Sequence, residues 1–255
     1  MFKQLCLLTR RPGMSMEDFI DAYETGHAKL MAPMMPLARR YLRRYISPEM
    51  NAVSQSVPEV PFDCLTEIWW DSRADFEAGM AALRADDRVR KIRADEKNLF
   101  AGPSSPVFSV EEIESPMRGF VDRPALGGVR QCDGTGDVFK LVFLLKRRPD
   151  MTVAQYRDYY ARSHSKLGER AMTSALRYVR RHVVPEGNLS NQVQELGFDT
   201  VMEIWWESRD GFASPDNRMP EDLWNEIYHD EEQLFATHAN PVFSVREADS
   251  PMRGW

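Results

Sequence analysis

The chain has 255 residues and a formal net charge of −6, with 43% hydrophobic and 28% charged residues. This length allows one large domain or two of ordinary size, and this composition is typical of a soluble globular protein. The acidic balance argues against a nucleic-acid partner and against an anionic membrane surface. No apolar run approaches the roughly 20 residues of a membrane span, which argues against a membrane-spanning protein.

The three cysteines, Cys6, Cys64 and Cys132, are an odd number without CxxC spacing. This pattern argues against a disulfide framework and a structural zinc site, and it fits a reducing compartment. The amino-terminal apolar run, FKQLCLL, is too short for a signal peptide. We therefore expect a cytoplasmic protein.

The sequence contains two copies of one module. The segment FKQLCLLTRRPGMS at 2–15 matches FKLVFLLKRRPDMT at 139–152, and EIWW at 67–70 returns at 203–206. Self-similarity of this kind indicates a duplicated structural unit.

A short segment, SPMRG, closes both copies, at 115–119 and 250–254. The stretch between the copies is rich in Gly, Asp and Pro and lacks hydrophobic periodicity, as a linker does. We therefore predict a first repeat at 1–119, a linker at 120–137 and a second repeat at 138–255.

Each copy begins with a short apolar strand, FKQLCLL in the first, that ends at an Arg-Arg-Pro turn. Ser15 and Thr152 then cap a helix. A second strand carries the alternating sequence RRYLRRYI, and a third contains EIWW. Helical segments follow at about 73–100 and 210–235, and PVFSV forms a fourth strand. The resulting order, β-α-β-β-α-β, is that of ferredoxin-like domains.

A ferredoxin-like sheet carries its helices on one face, so the other face needs a cover. Two such sheets that face each other close a barrel, and the duplicated chain supplies both. We predict an α+β barrel built by the two repeats as a pseudo-dimer within the chain. Pairing with a second copy of the chain remains an alternative.

The first strand, turn and helix of both copies resemble the EthD-like family of the dimeric α+β barrel superfamily. The resemblance rests on LLTRRPGMSMEDFIDAYETGHAKL and LLKRRPDMTVAQYRDYYARSHSKL, and it covers most of the chain outside the linker. It implies a pocket between sheet and helices for small, often aromatic or polyketide-like molecules. Members and near relatives include cofactor-free cyclases, decarboxylases, dehydratases and monooxygenases, and more distant barrels bind haem. Neither the Trp-Trp pair nor SPMRG belongs to that family pattern.

The EIWW strand places alternate residues on opposite faces of the sheet. The mainly apolar face must pack on helices, so we expect Trp70 and Trp206 in the core. The other face then points into the barrel and carries two glutamates and two tryptophans, which we expect to line a cavity: Glu67, Trp69, Glu203 and Trp205.

A buried carboxylate without a partner is costly. One interpretation of Glu67 and Glu203 is therefore a structural salt bridge to an arginine on a neighbouring strand. The other is a pKa raised by apolar surroundings, which allows acid–base catalysis near neutral pH.

His27 and His164 are expected to end the first helix of each copy. An imidazolium is favourable at a helix carboxyl terminus, so capping is one explanation. The family resemblance places this histidine at the mouth of the pocket, where it would take a proton from a substrate carbon or hydroxyl group. An arginine or tyrosine would then hold the developing oxyanion.

The second strand supplies such donors. One face carries Tyr41, Arg43 and Tyr45 in the first copy, and Tyr178, Arg180 and His182 in the second. We expect Tyr41 and Tyr178 to point into the barrel and this face to bind substrate, although which arginine enters the lumen depends on strand register. The exchange of Tyr45 for His182 indicates that the two pockets are not equivalent.

Two further observations limit the chemistry. SPMRG either covers a pocket mouth or docks across the other half of the molecule. No dinucleotide, P-loop, GxSxG or HExxH motif occurs, and the histidines lack diagnostic metal spacing. We therefore expect neither a metal nor a cofactor.

The leading functional hypothesis is a cofactor-independent lyase that acts on a small hydrophobic or aromatic molecule through His and Glu acid–base catalysis. The alternatives are a cofactor-free monooxygenase or haem-binding relative, and a non-catalytic binding protein.

Overall fold

The computed structural model describes residues 1–47, 60–102, 105–189, 196–214 and 218–253. The strands are β1 (Phe2–Leu8), β2 (Ala38–Ile46), β3 (Cys64–Trp70), β4 (Val107–Glu114), β5 (Arg130–Gln131), β6 (Phe139–Leu145), β7 (Arg177–Asn188), β8 (Thr200–Trp206), β9 (Val242–Phe243) and β10 (Val245–Asp249). The α-helices are α1 (Met16–Ala22), α2 (Ala28–Met31), α3 (Arg73–Ala85), α4 (Val89–Leu99), α5 (Val153–Tyr159), α6 (Ser165–Ala171), α7 (Arg209–Ala213) and α8 (Glu221–Leu234).

The predicted helix starts are confirmed. The Ser15 hydroxyl accepts a hydrogen bond from the backbone N–H of Asp18, and Thr152 forms a reciprocal capping box with Gln155. These contacts satisfy amide groups that the first turn of a helix leaves without partners.

The expectation that each first helix ends at its histidine is wrong. One turn of π-helix, Tyr23–His27, joins α1 to α2, and Tyr160–His164 joins α5 to α6 in the same way. The backbone N–H that follows each segment bonds to the carbonyl at its start, so the helical path continues. Such π-helical turns are rare and occur frequently at functional sites.

The fourth strand of each repeat joins the two sheets. The first half of β4 pairs with β1 of its own repeat, and its second half pairs with β7 of the other repeat. In the same way β9 pairs with β6, and β10, one residue further on, pairs with β2. The sheet order β5-β10-β2-β3-β1-β4-β7-β8-β6-β9 therefore closes on itself. The fold is an α+β barrel made of two ferredoxin-like repeats.

The inter-repeat segment and both SPMRG segments pack across the barrel. β5 adds to the outer edge of β10. Ser115 donates its backbone N–H to Tyr178 of the second repeat, and Ser250 donates to Tyr41 of the first. Met117 and Met252 pack into the cores of those same opposite repeats. Docking across the other half, one of the two interpretations of SPMRG, is therefore observed for both segments, and Ser115 and Pro116 also line a cleft.

The three largest apolar clusters among the described residues hold the fold together. One lies between sheet and helices of the first repeat and includes Trp70, and an equivalent cluster in the second includes Trp206. The predicted core positions of these two tryptophans are thus confirmed. The third cluster lies at one end of the barrel interior and contains matching residues from both repeats, among them Leu5, Leu65, Val142 and Val201.

Candidate active site

The glutamates of the EIWW strands do lie inside the barrel, but in a network of ion pairs. Arg44 Nη1 donates to Glu67 Oε2 at 2.5 Å, and Arg181 Nη1 lies 2.8 Å from Glu203 Oε1. Both glutamates have no exposed surface. The Arg181 contacts are close ion pairs that lack hydrogen-bond geometry. Lys140 and Glu247 extend the network at 2.5 Å.

This network determines the protonation of the two glutamates. Burial alone would raise the pKa of Glu67, but Arg181 and Arg44 outweigh it and hold the pKa well below its ordinary value. The pKa of Glu203 is lowered by the same two arginines against the effect of burial. Both side chains are therefore carboxylates with structural partners. The raised-pKa interpretation of Glu67 and Glu203 is wrong, and the salt-bridge interpretation is correct.

Trp69 and Trp205 lie on the barrel side of their strands, as expected, but they pack into the ionic network. Each indole N–H donates to the glutamate two residues earlier, at 2.5 Å from Trp69 and 3.2 Å from Trp205. The ammonium groups of Lys3 and Lys140 lie over the two rings, 3.8 and 3.3 Å from their centroids. Cation–π contacts of this kind stabilise desolvated ammonium groups. Side chains thus fill the region where we expected a reaction chamber.

The register of the second strand is opposite to the expected one. Tyr41 and Tyr178 belong to the helix-side cores, whereas Arg44 and Arg181 point into the barrel. The expectation that both tyrosines face the lumen is therefore wrong. Because side chains alternate along a strand, their face-mates Arg43, Tyr45, Arg180 and His182 also lie on the helix side.

A cavity of about 200 Å³ lies between the sheet and the helices of the first repeat. Its polar wall includes Gln4, Tyr23, His27, Tyr41, Thr66 and Glu96. Its apolar wall includes Met31, Met35, Ile68, Met80, Leu83 and Phe100. Pockets for drug-sized ligands hold about 300–1,000 Å³, so this cavity suits a smaller molecule.

His27 forms a hydrogen bond with the carboxylate of Asp95, a residue that the sequence analysis did not identify. Its Nδ1 lies 2.8 Å from Asp95 Oδ2 on α4, and its ring packs edge-on against Tyr23 and Phe100. Burial lowers the pKa of His27 below 6.5, and the hydrogen bond to Asp95 only partly opposes this. The imidazole is therefore neutral near pH 7. With Nδ1–H donated to Asp95, the lone pair on Nε2 is free to accept a proton.

The second repeat contains the equivalent pair. His164 Nδ1 lies 2.9 Å from Asp230 Oδ2 on α8, and Asp230 also accepts from Tyr159 and Ser163. The sequence carries a signal for both aspartates, since DEKNLF at 95–100 matches DEEQLF at 230–235. Only the structure shows that these acidic residues reach the histidines.

Three hydroxyl groups lie together at the floor of the first-repeat cavity. The Tyr23 hydroxyl lies 2.9 Å from that of Tyr41 and 3.4 Å from that of Thr66. Burial raises the pKa of both tyrosines, so both remain protonated donors. Nearby, the Oε1 atom of Gln4 is buried and has no hydrogen-bond partner among the described residues. A buried amide oxygen without a partner is ready for a ligand donor.

Two further ionisable groups line this cavity. Burial raises the pKa of Glu96, which favours its protonated form relative to an exposed glutamate. Burial also raises the pKa of the Cys6 thiol to about 12, so this cysteine is no nucleophile at neutral pH. The cavity therefore combines a neutral histidine, a carboxyl group and hydroxyl donors, which suits proton transfer.

The two repeats differ at this cavity. Gln4, Cys6 and Thr66 of the first repeat correspond to larger apolar residues in the second. These residues belong to the second repeat's core: Leu141, Phe143 and Met202. The tyrosine pair persists, because Tyr160 and Tyr178 lie 3.1 Å apart. The substitutions add bulk where the first repeat is open.

The remaining candidate residues lie outside the His27 cavity. Arg43 and Tyr45 both bind the carboxylate of Glu24. Arg180 and His182 line a separate cleft in the second repeat. None of these four side chains lines the His27 cavity.

The EthD domain family matches residues 11–103 and 148–241, once in each repeat. The chain belongs to the EthD domain family. No curated protein matches the sequence. Among solved structures, the chain is similar to an anthrone oxidase-like protein, with 9% identity, a TM-score of 0.53, and 100% of this chain and 96% of that chain covered. It is also similar to chlorite dismutase from Candidatus Nitrospira defluvii in complex with imidazole, with 9% identity, a TM-score of 0.46, and 98% and 91% covered.

At such low identity these structures bear on the fold alone. The anthrone oxidase-like protein supports the barrel architecture along the whole chain. Within the part of the chain that the structure describes, no helix has the length and apolar character needed to cross a membrane.

Proposed function

We propose that this EthD-domain protein is a cofactor-independent lyase whose active site is the His27 cavity of the first repeat. The observation that carries the proposal is the hydrogen bond between His27 and Asp95 at the wall of a partly apolar cavity. A neutral imidazole oriented by a carboxylate is the usual arrangement of a general base.

The first step is proton abstraction. His27 Nε2 accepts a proton from an acidic C–H or O–H group of the substrate, and Asp95 stabilises the imidazolium that forms. Because Asp95 is 31% exposed in its side chain, it also remains in contact with water. The proposal keeps the general-base role that we expected for His27 from the sequence. It adds Asp95 as the partner of His27 and gives Glu67 no catalytic role.

The second requirement is stabilisation of the negative charge that develops on the substrate. The hydroxyls of Tyr23 and Tyr41 share one hydrogen bond, so one of the two protons is available to a substrate oxygen. Donors that are already in place when charge develops lower the barrier most. The proposal assigns the oxyanion to this pair.

Release of the leaving group completes the reaction. The electron pair left by the abstracted proton forms a new double bond and expels a leaving group β to it. In the proposed cycle Glu96, whose pKa burial raises, gives its proton to that leaving group. His27 then releases its proton to solvent and Glu96 takes one from solvent, so both groups are regenerated and the cycle needs no added oxidant or reductant.

The walls indicate the substrate class. Met31, Met35 and Met80 are flexible and polarizable, and Phe100 offers an aromatic face. A cavity of about 200 Å³ is small for a porphyrin and suits a single-ring aromatic or short polyketide-like molecule. The proposed substrate is such a molecule with a β-hydroxy or β-carboxyl carbonyl group.

The test compares two matched variants. Purified protein is incubated with a panel of aromatic β-hydroxy ketones and β-keto acids, and loss of water or CO₂ is followed by mass spectrometry. His27→Gln should lower turnover at least about 100-fold, the size expected for loss of a general base. His164→Gln, its control in the second repeat, should keep activity within a few-fold.

Other outcomes would contradict the proposal. Full activity in His27→Gln would exclude this base. Oxygen consumption with substrate would indicate a monooxygenase, and a Soret band in the purified protein would indicate haem. Retention of a ligand without any product would indicate a binding protein.

A further inference from the structure

A cleft of about 210 Å³ between the second repeat and the end of the first takes no part in the proposed reaction. Arg180 lines this cleft with only 4% of its surface exposed. Its Nη1 atom is buried and has no hydrogen-bond partner among the described residues. Burial of a guanidinium nitrogen without a protein acceptor costs free energy.

The first repeat shows what satisfies this arginine when a partner is present. The equivalent residue, Arg43, donates to the carboxylate of Glu24 and to the hydroxyl of Ser250. In the second repeat the position of Glu24 is occupied by Ala161, which also lines the cleft. The second repeat has therefore kept the buried arginine without its carboxylate.

The acidic residues of the cleft do not take over this role. Glu114 is paired with Arg177 at 2.6 Å, and Glu169 is paired with Lys166 at 2.9 Å. Neither forms an ion pair with Arg180. The charge of Arg180 thus lacks a direct anionic partner in the described part of the protein.

The histidine next to Arg180 in the cleft is uncharged. His182 lies beside Arg180, and burial together with Arg157 and Arg180 lowers its pKa to about 3. It is therefore neutral, and its Nδ1 is engaged with Thr200 at 2.8 Å. The remaining walls include the apolar side chains of Ile113 and Pro116.

We propose that this cleft binds a small organic carboxylate, with its anionic group on Arg180 and its apolar body beside Pro116 and the Tyr160 ring. Charge-assisted hydrogen bonds from arginine to a carboxylate are among the strongest in proteins. The ligand supplies the group that Glu24 supplies in the first repeat. The substitution of Ala161 for that glutamate opens the space for it.

The test uses benzoate as the probe, with benzamide as its neutral counterpart, in calorimetric titrations of the full chain. Benzoate should bind with about one site per chain, and benzamide at least tenfold more weakly. Ala161→Glu restores the carboxylate of the first repeat, so it should lower benzoate affinity at least tenfold and raise the melting temperature. Ala161 is exposed, so the longer side chain has room.

Two more variants separate a binding role from a structural one. Arg180→Gln should lose benzoate binding, whereas Arg43→Gln, its counterpart in the first repeat, should keep it. If Arg180→Gln does not fold, the Ala161→Glu variant still decides the test, because Ala161→Glu removes no core group. Absence of benzoate binding to the wild type, equal binding of benzamide, unchanged binding in Ala161→Glu, or tighter binding of inorganic phosphate would each overturn the proposal.

Discussion

The guanidinium of Arg44 in the first repeat lies 3.0 Å from the carboxylate of Glu203 in the second. The reciprocal pair joins Arg181 of the second repeat to Glu67 of the first, at 3.3 Å. All four residues are at most 2% exposed. Each repeat thus supplies buried charges that pair both within their own repeat and with the other repeat in the barrel interior. We infer that this cluster specifies how the two sheets face each other.

Removal of one member should be strongly destabilising. Arg44→Met leaves Glu67, Glu203 and Glu247 with less positive charge in a buried site. A loss of about 3–5 kcal/mol in the free energy of unfolding is expected, as for other buried ion pairs that lose one partner. Urea denaturation followed by tryptophan fluorescence measures it. Arg39→Met, which breaks an exposed pair with Asp71, serves as the control and should show no comparable loss.

The same cluster predicts how stability depends on pH. The pKa of Glu67 and of Glu203 lies lower in the folded protein than the ordinary value of 4.5. Their contribution to stability is therefore complete above about pH 4.5 and decreases as the pH falls toward the folded-state pKa. The urea midpoint should fall steeply below pH 4.5, and less steeply in Glu67→Gln. Equal slopes in both proteins would refute this account.

The pair of His27 with Asp95 predicts a distinctive pH–rate profile. Burial lowers the pKa of His27 below 6.5, so the acidic limb of kcat/KM should report a pKa below 6.5. The alkaline limb should report loss of the proton that Glu96 gives to the leaving group. Because Asp95 raises the pKa of His27, Asp95→Asn should move the acidic limb to lower pH. It should also lower the maximum by about 100-fold or more, because the tautomer is no longer enforced. Asp230→Asn, the matched change in the second repeat, should alter neither the limbs nor the maximum.

The difference between the two repeats predicts the effect of filling the cavity. Cys6→Phe copies Phe143, the equivalent residue of the second repeat. The ring should occupy the His27 cavity and raise KM at least tenfold, while circular dichroism remains that of the wild type. Phe143→Leu is the control, since it alters the same position in the other repeat. Unchanged KM in Cys6→Phe would place the substrate elsewhere.

Strand pattern and duplication were sufficient to predict the architecture. Alternation in EIWW assigned Trp70 and Trp206 to the core, and the uncovered face of each sheet required the barrel. These inferences depend on local periodicity and on burial of apolar area, both of which are properties of the sequence alone. The capping roles of Ser15 and Thr152 are local in the same sense.

The site required the tertiary structure. Side chains of β2 alternate as predicted, but only strand pairing shows that Arg44 enters the barrel and Tyr41 faces the helices. A shift of one residue in strand pairing would exchange these faces. The alternation along β2 is therefore compatible with either face pointing into the barrel.

The sequence by itself determined the two repeats, their main strands and helices, and one histidine shortly after the first helix of each repeat. Only the tertiary structure decided which side chains the charged and titratable residues contact. Asp95 lies 68 residues from His27 along the chain, and Glu203 lies far from Arg44, yet each pair is in contact. Protonation states follow from such contacts, because burial and neighbouring charge act through space rather than along the sequence.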